Sequence, residues 1–170
     1  MTARVPHPPP HARAATLGVA VAAQGTRVPL ARDRVAALAA AVLRAEGVRA
    51  AEVSITFVDE AAMARLNWRH LRHRGPTDVI TFALAPVPGE PIGADVYICP
   101  AVAREHARAH RRPVREEIAR LVVHAMLHAL GYEHPEDDTR VDSPMWRRQE
   151  RLLARLHARL LAPGAAGAPG

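Results

Sequence analysis

The sequence has little of several residue types, and each shortage narrows what the protein can be. Its 170 residues include one cysteine, Cys99, and only 4% are aromatic. One cysteine cannot form an internal disulfide, which is typical of a reducing compartment, so we expect a cytoplasmic location. No apolar stretch reaches the roughly 18 uncharged residues of a transmembrane helix, so we expect no membrane partner. The proline-rich N-terminus lacks the apolar core and cleavage site of a signal peptide.

Lysine is absent altogether, so all 23 basic side chains are arginines. The formal charge is +6 and the pI is about 11.0. The planar guanidinium group of arginine matches phosphate oxygens and can stack on bases, which suits a nucleic-acid partner. A lysine-free composition rich in alanine and arginine is also what GC-rich coding produces. The charge alone therefore leaves RNA binding open.

The length suits one domain with a core of Ala, Val, Leu and Ile. We expect this domain at residues 15–161, between a disordered proline-rich lead at 1–14 and a flexible tail at 162–170. Hydrophobic periodicity predicts strands near residues 16–23, 52–58, 78–84 and 94–99. Capping residues and helical spacing predict five helices, which begin near residues 29, 59, 100, 113 and 143.

The stretch at residues 121–134, L-V-V-H-A-M-L-H-A-L-G-Y-E-H, carries the strongest pattern. His124 and His128 are four residues apart in an apolar helical run, so their imidazoles fall on one helix face. Gly131 can adopt the left-handed conformation that ends a helix, and the reversing chain brings His134 back beside the other two. Three neutral imidazoles are a ligand set of catalytic zinc, with a fourth position left for water.

The same spacing leaves other interpretations open. It is the metal scaffold of the metzincin peptidases, which carry a glutamate base directly after the first histidine. Here that position is Ala125, which cannot move a proton. A structural zinc site usually closes with a fourth ligand, often cysteine, but Cys99 lies well upstream. Apolar helices also carry single histidines as ordinary core residues, although three at this spacing are harder to explain that way.

Several acidic side chains near the three histidines are candidates for a proton acceptor or for orienting a ligand. Glu117 lies two turns before His124 on the same side of the helix. The chain around His134 adds four more: Glu133, Glu136, Asp137 and Asp138. Such a cluster is more often a solvated loop or a helix cap, and a first-turn glutamate also complements the helix dipole.

Three blocks of the sequence resemble the YbeY family of bacterial endoribonucleases and ribosomal-RNA maturation factors. They are L-N-W-R-H-L-R-H-R-G-P-T-D-V-I-T-F, G-A-D-V-Y-I-C and H-A-M-L-H-A-L-G-Y-E-H. The resemblance covers roughly residues 50–155, in the order and spacing of the family. It implies an α+β fold in one domain, with a small mixed β-sheet of about four strands packed against about five helices.

The resemblance also implies a function. Members of the family bind one zinc ion through three histidines, which map onto His124, His128 and His134, and they act in processing of the 16S rRNA 3′ end and in ribosome quality control. We therefore expect a zinc-dependent single-strand endoribonuclease, with rRNA and the small ribosomal subunit as partners and no small-molecule cofactor. Arg69, Arg72 and Arg74 are the expected RNA contacts.

The chain departs from the family pattern at several positions within these blocks, among them Ala125, where the family usually has a glycine. Leu71 stands where the family usually has an arginine thought to serve catalysis or RNA contact, and Glu133 stands where it usually has an aspartate. We carry the role of the missing arginine over to no other residue, and Glu133 is the expected catalytic carboxylate. The missing arginine keeps a second hypothesis open, a ribosome assembly factor with a structural metal and little nuclease activity. A zinc metallopeptidase ranks third.

Overall fold

The computed structural model describes residues 16–85, 87–135 and 137–160. The expected lead at 1–14 and the expected tail at 162–170 lie outside these residues. The elements in chain order are β1 (Leu17–Gln24), α1 (Arg32–Ala45), β2 (Ala51–Val58), α2 (Glu60–Leu71), β3 (Val79–Ala83), β4 (Ile92–Ile98), α3 (Pro100–Ala109), α4 (Val114–Ala129), a 3-10 helix (Asp138–Asp142) and α5 (Pro144–Leu160).

The four strands form one mixed sheet in the order β1-β2-β4-β3. β1 runs parallel to β2, and β2 runs parallel to β4. β3 pairs antiparallel with β4, so the two strands predicted to be neighbours are neighbours. With five α-helices in the described ranges, the single α+β domain expected from the sequence is confirmed.

The alternation of β2 places its apolar side chains on one face of the sheet, where Ile55 and Phe57 are fully buried. This face carries the larger hydrophobic core, to which α1, α4 and α5 contribute. Helix α4 packs against α1, α3, α5 and β3, which explains why Ile118, Val122 and Ala125 are all fully buried. A helix enclosed by so many neighbours is apolar nearly all round, and its few polar side chains are held in place.

A smaller cluster lies on the opposite face, under α2. Ile80 and Tyr97 are paired across β3 and β4, so their side chains share this face with Met63 of α2 above them. Asp59 was predicted to cap α2, and its side chain accepts a hydrogen bond of 2.8 Å from the backbone N–H of Ala62. No helix in the described part of the chain has both the length and the apolar character to span a membrane.

The observed bounds differ from the predicted ones by a few residues at most. Pro113 precedes α4 and its carbonyl accepts hydrogen bonds from the N–H groups of Glu116 and Glu117, at 3.0 and 3.3 Å. The sequence did not predict the 3-10 helix at Asp138–Asp142. It begins where the side chain of Asp137 accepts a bond of 2.9 Å from the N–H of Thr139, a local arrangement with no hydrophobic period to reveal it.

Candidate metal centre

The end of α4 and the turn after it position the three histidines. Gly131 has a φ of 83°. Its N–H donates to the carbonyl of His128 at 2.9 Å, and the N–H of Tyr132 donates to the carbonyl of Leu127 at 3.0 Å. These two bonds form a Schellman motif, which needs a left-handed residue at the glycine position. The motif reverses the chain, so that His134 returns beside the last turns of α4 as the sequence predicted.

The ring nitrogens that face one another are close enough to share one ion. Nε2 of His124 lies 3.0 Å from Nε2 of His128 and 3.4 Å from Nε2 of His134. One candidate ligand atom from each histidine lies within 4.8 Å of the other two. Nitrogens bound to one tetrahedral zinc at its usual bond length stand about 3.3 Å apart. The three side chains therefore fit the geometry that zinc requires.

The opposite ring nitrogens, Nδ1, all donate to carbonyl-type oxygens. The acceptors are the side-chain oxygen of Gln149 at 2.9 Å for His124, the Tyr132 carbonyl at 2.9 Å for His128 and the Pro135 carbonyl at 2.7 Å for His134. Since such oxygens only accept, each Nδ1 carries the proton and each Nε2 presents a lone pair. Lone pairs directed at one another repel, and a cation between them removes the repulsion. This is the arrangement that orients metal-ligating histidines.

The electrostatics of the cluster favour the neutral, ligating form of the imidazoles. Burial lowers the pKa of His124 from 6.5 to about 4, and the other two histidines act in the same direction. Burial also lowers the pKa of His128, although the nearby charge of Glu133 opposes this. Both rings are therefore uncharged at neutral pH, and no proton has to leave before a metal ion binds.

Helix α5 holds His124 of the metal centre in its orientation through Gln149. Gln149, the partner of His124, is only 1% exposed. The neighbouring Glu150 accepts a charge-assisted hydrogen bond from Arg120 of α4, and the Arg120 guanidinium lies 5.7 Å from the centre of the Trp146 ring. These contacts fix α5 against α4, so the oxygen that orients His124 has little freedom to move. The sequence did not reveal this role of Gln149, because it lies 25 residues after His124 with no local spacing to mark it.

The predicted acidic candidates occupy different surroundings. Glu133 is exposed beside the histidine cluster. Glu117 is 5% exposed, and an Oε atom lies 3.9 Å from Arg120 in an ion pair within α4. Asp137 caps the 3-10 helix in which Asp138 lies, and Glu136 falls outside the described residues. Of these predicted candidates, Glu133 is the one whose charge acts directly on a histidine of the cluster.

The predicted RNA contacts lie at the end of α2 and in the loop after it. Arg69 is in the last turn, Arg72 ends the helix with a φ of 60°, and Arg74 follows, all exposed. The side chain of Asn67 donates to the carbonyl of Gly75 at 2.8 Å, which holds the loop against α2. The loop leads to Asp78, whose charge is near enough to act on His124.

Comparison with known proteins places these features in a family. The model of the endoribonuclease YbeY family matches residues 21–157. Proteins named endoribonuclease YbeY are similar to this chain in Frankia alni, 36% identical over 81% of this chain and 83% of the relative, and in Thermobifida fusca, 39% identical over 75% and 86%. A solution structure of a Thermotoga maritima protein has a TM-score of 0.55 at 22% identity, covering 89% of this chain and 99% of that one, and shows the same fold.

Proposed function

This chain belongs to the endoribonuclease YbeY family, and from that premise we propose that it is a zinc-dependent endoribonuclease that cuts single-stranded RNA. Its proposed tasks are processing of the 16S rRNA 3′ end and ribosome quality control, in the cytoplasm and in contact with the small ribosomal subunit. The observation that carries the proposal is the convergence of three Nε2 lone pairs at 3.0 and 3.4 Å. One zinc ion per chain is the proposed occupant.

The residues of the centre have different proposed roles in the reaction. His124, His128 and His134 are the proposed ligands, and their Nδ1 hydrogen bonds fix the tautomer and the ring orientation that ligation needs. Zinc held there supplies Lewis-acid chemistry, which polarises a phosphoryl oxygen and makes a water molecule a better nucleophile. Glu133 is the proposed proton acceptor, because it is exposed beside His128.

The arginines at the end of α2 and in the loop before β3 are the proposed RNA contacts. Arg69, Arg72 and Arg74 are exposed, and the bond from Asn67 to Gly75 keeps the last of them close to α2. Guanidinium groups form charge-assisted, often bidentate hydrogen bonds to phosphate oxygens. Such contacts hold an RNA backbone whatever its sequence, so they position the strand and do not select the cleavage site.

A second candidate is a ribosome assembly factor with little nuclease activity. The observation in its favour is Leu71, which is 47% exposed and brings no cation where the family usually has an arginine. A zinc peptidase has less support, because Ala125 is fully buried and has no proton acceptor to offer. Digestion of casein by the zinc-loaded protein tests the peptidase, and we expect none.

The test of the proposal is cleavage of a 3′-extended 16S rRNA precursor by zinc-loaded protein, beside His124→Ala at equal concentration. A matched control is His110→Ala, since His110 is exposed at the end of α3 and is not one of the three clustered histidines. We expect cutting by the wild type and the control, and none by His124→Ala when circular dichroism shows its fold intact. Equal cutting by His124→Ala would contradict the proposal. If none of the three proteins cuts, while the wild type still binds small subunits, the assembly factor is favoured.

A further inference from the structure

The outward face of α2 carries an aromatic ring among cations. Met63 and Asn67 are buried on the inner side of this helix, whereas Arg65, Trp68 and Arg72 point the other way and are exposed. Arg65 and Arg72 are two helical turns apart, with Trp68 between them. The indole of Trp68 is 50% exposed, so half of a large apolar surface is left in water. We call these three side chains the α2 face.

Among the residues that the structure describes, no acidic side chain forms an ion pair with Arg65, Arg69 or Arg72. In the described part of the chain, ion pairs neutralise arginines elsewhere, as Glu150 does for Arg120 and Glu46 for Arg148, but none reaches the α2 face. Guanidinium groups whose positive charge no carboxylate neutralises attract polyanions and repel basic proteins. The charge therefore favours a phosphate-bearing ligand on this surface.

Trp68 also differs from the other aromatic side chains. Phe82 contacts both His70 and Tyr97 edge to face, at 4.8 and 6.0 Å between ring centres. The ring of Trp146 is covered by Arg120, and Phe57 is fully buried. Within the ranges that the structure describes, Trp68 has no such ring or cation contact. In a chain with 4% aromatic residues, this one leaves a flat π surface free.

We propose that the α2 face is a stacking platform for an unpaired RNA base, with Trp68 against the base and Arg65 and Arg72 on the flanking phosphates. The inference rests on the proposed function. It adds the surface on which the protein holds an unpaired base of its single-stranded RNA substrate. Stacking on an indole needs no particular base, and basic side chains beside it track the backbone. In a duplex the face of the base that Trp68 contacts is covered, because each base stacks on the neighbouring base pairs.

The connection of the α2 face to the metal centre runs through the chain itself. Arg72 caps α2, its N–H donating to the carbonyl of Trp68 at 3.2 Å. Asn67 holds the loop beyond it, and this loop leads into β3, which packs against α4, the helix that carries His124 and His128. RNA held by the α2 face can therefore follow the loop towards the histidines. Trp68 acts on the reaction by positioning the strand, without touching the reacting atoms.

The test is binding of a short single-stranded RNA with 2′-O-methyl sugars, followed by Trp fluorescence of the zinc-loaded protein in a Trp146→Phe background. We expect stacking to quench the remaining indole. Trp68→Ala, followed by anisotropy of a labelled strand, should bind about tenfold more weakly, and Trp68→Phe should recover most of the loss because it keeps a ring. Arg65→Gln should reduce the salt dependence of binding by about 0.7 in the log–log slope.

Control variants and ligands separate stacking from general attraction. Val87→Ala removes an exposed apolar side chain elsewhere, and Arg27→Gln removes an exposed cation after β1, at the opposite edge of the sheet from β3; both should bind within about twofold of wild type. An RNA with abasic sites and a duplex of the same sequence should not quench Trp68. Equal affinity of Trp68→Ala and wild type, or equal quenching by the abasic strand, by heparin or by an acidic peptide, would overturn the proposal.

The two proposals fail separately. In His124→Ala the α2 face is untouched, so this variant should still quench on adding RNA although it cannot cut. Quenching without any cleavage by the wild type would support the platform and contradict the nuclease. Cleavage by the wild type without quenching, at RNA concentrations where anisotropy shows saturation, would support the nuclease and contradict the platform.

Discussion

The polar side chains of the metal centre and those of the α2 face differ in burial and in how they are bonded. At the metal centre each histidine is partly buried and has its Nδ1 bonded to a fixed oxygen. On the α2 face Trp68 and the arginines are exposed, and no described acidic residue neutralises them. Ligating a metal ion requires a fixed geometry in a neutral state, whereas RNA binding exchanges condensed counterions for arginines that stay accessible.

The difference predicts that the two regions control different steps. Changes among the histidines or their supports should remove metal and cleavage while leaving RNA affinity almost unchanged. Changes on the α2 face should weaken RNA binding and alter its salt dependence while leaving zinc content unchanged. Variants that moved both properties together would show that the regions form one coupled site.

The largest effect should follow from His128→Ala. The variant loses one of three nitrogen ligands, so we expect it to lose zinc during gel filtration and to cut RNA at least about 100-fold more slowly. Its affinity for a 2′-O-methyl RNA should stay within about twofold, since the α2 face is unchanged. Zinc content, cleavage and anisotropy measure the three properties. If this variant bound zinc and cut RNA as well as the wild type, the assignment of the ligands would be wrong.

Gln149→Met should have the next largest effect. Methionine fills nearly the same volume but offers only a weakly accepting sulfur in place of the amide oxygen, so the ring loses the hydrogen bond that fixes its orientation. Loss of a partner of this kind costs roughly 10- to 100-fold in metal affinity. Competition with a coloured zinc chelator measures it. Gln149→Glu restores an acceptor and serves as the control. Equal zinc affinity of all three proteins would show that Gln149 does not orient the ligand.

These two residues also show how far the sequence could predict the structure. His128 was found from a local pattern, a helical period followed by a glycine stop, and such patterns also placed the strands and helices. Gln149 was not found, because its role depends on α5 packing against α4, a contact between distant parts of the chain. The family resemblance supplied the α+β architecture, since periodicity alone does not order the strands within a sheet.

The α2 face was missed for a different reason. The sequence analysis predicted Arg69, Arg72 and Arg74 as RNA contacts but did not single out Trp68, because an apolar residue is expected to be buried in a chain with so few aromatics. Its exposure became visible only when Met63 and Asn67 were seen to take the inner side of α2. Lack of an ion-pair partner is likewise a property of the folded molecule.

The metal-free protein should lose stability as the pH falls. Burial lowers the pKa of His124 to about 4, against 6.5 for an unperturbed histidine, and it lowers that of His128 too. Between pH 6.5 and about pH 4, His124 is therefore protonated in the unfolded chain but still neutral in the folded chain. The free energy of unfolding decreases as the pH falls through this window. Urea unfolding with a chelator at pH 7.5 and 5 measures the change. His124→Leu should show a weaker pH dependence, and an unchanged one would contradict the assignment.

The smallest effect, and the sharpest test of the comparison, is expected from Arg72→Gly. Arg72 ends α2 in the left-handed conformation, with a φ of 60°, which costs a residue with a side chain more than it costs glycine. We therefore expect the variant to gain about 0.5–1 kcal/mol in free energy of unfolding by urea. It should bind RNA a few-fold more weakly, because one phosphate contact is lost. A control, Arg72→Asn, also tolerates this conformation and also lacks the charge. If both variants bound RNA as tightly as the wild type, Arg72 would be a helix cap and no part of the RNA surface.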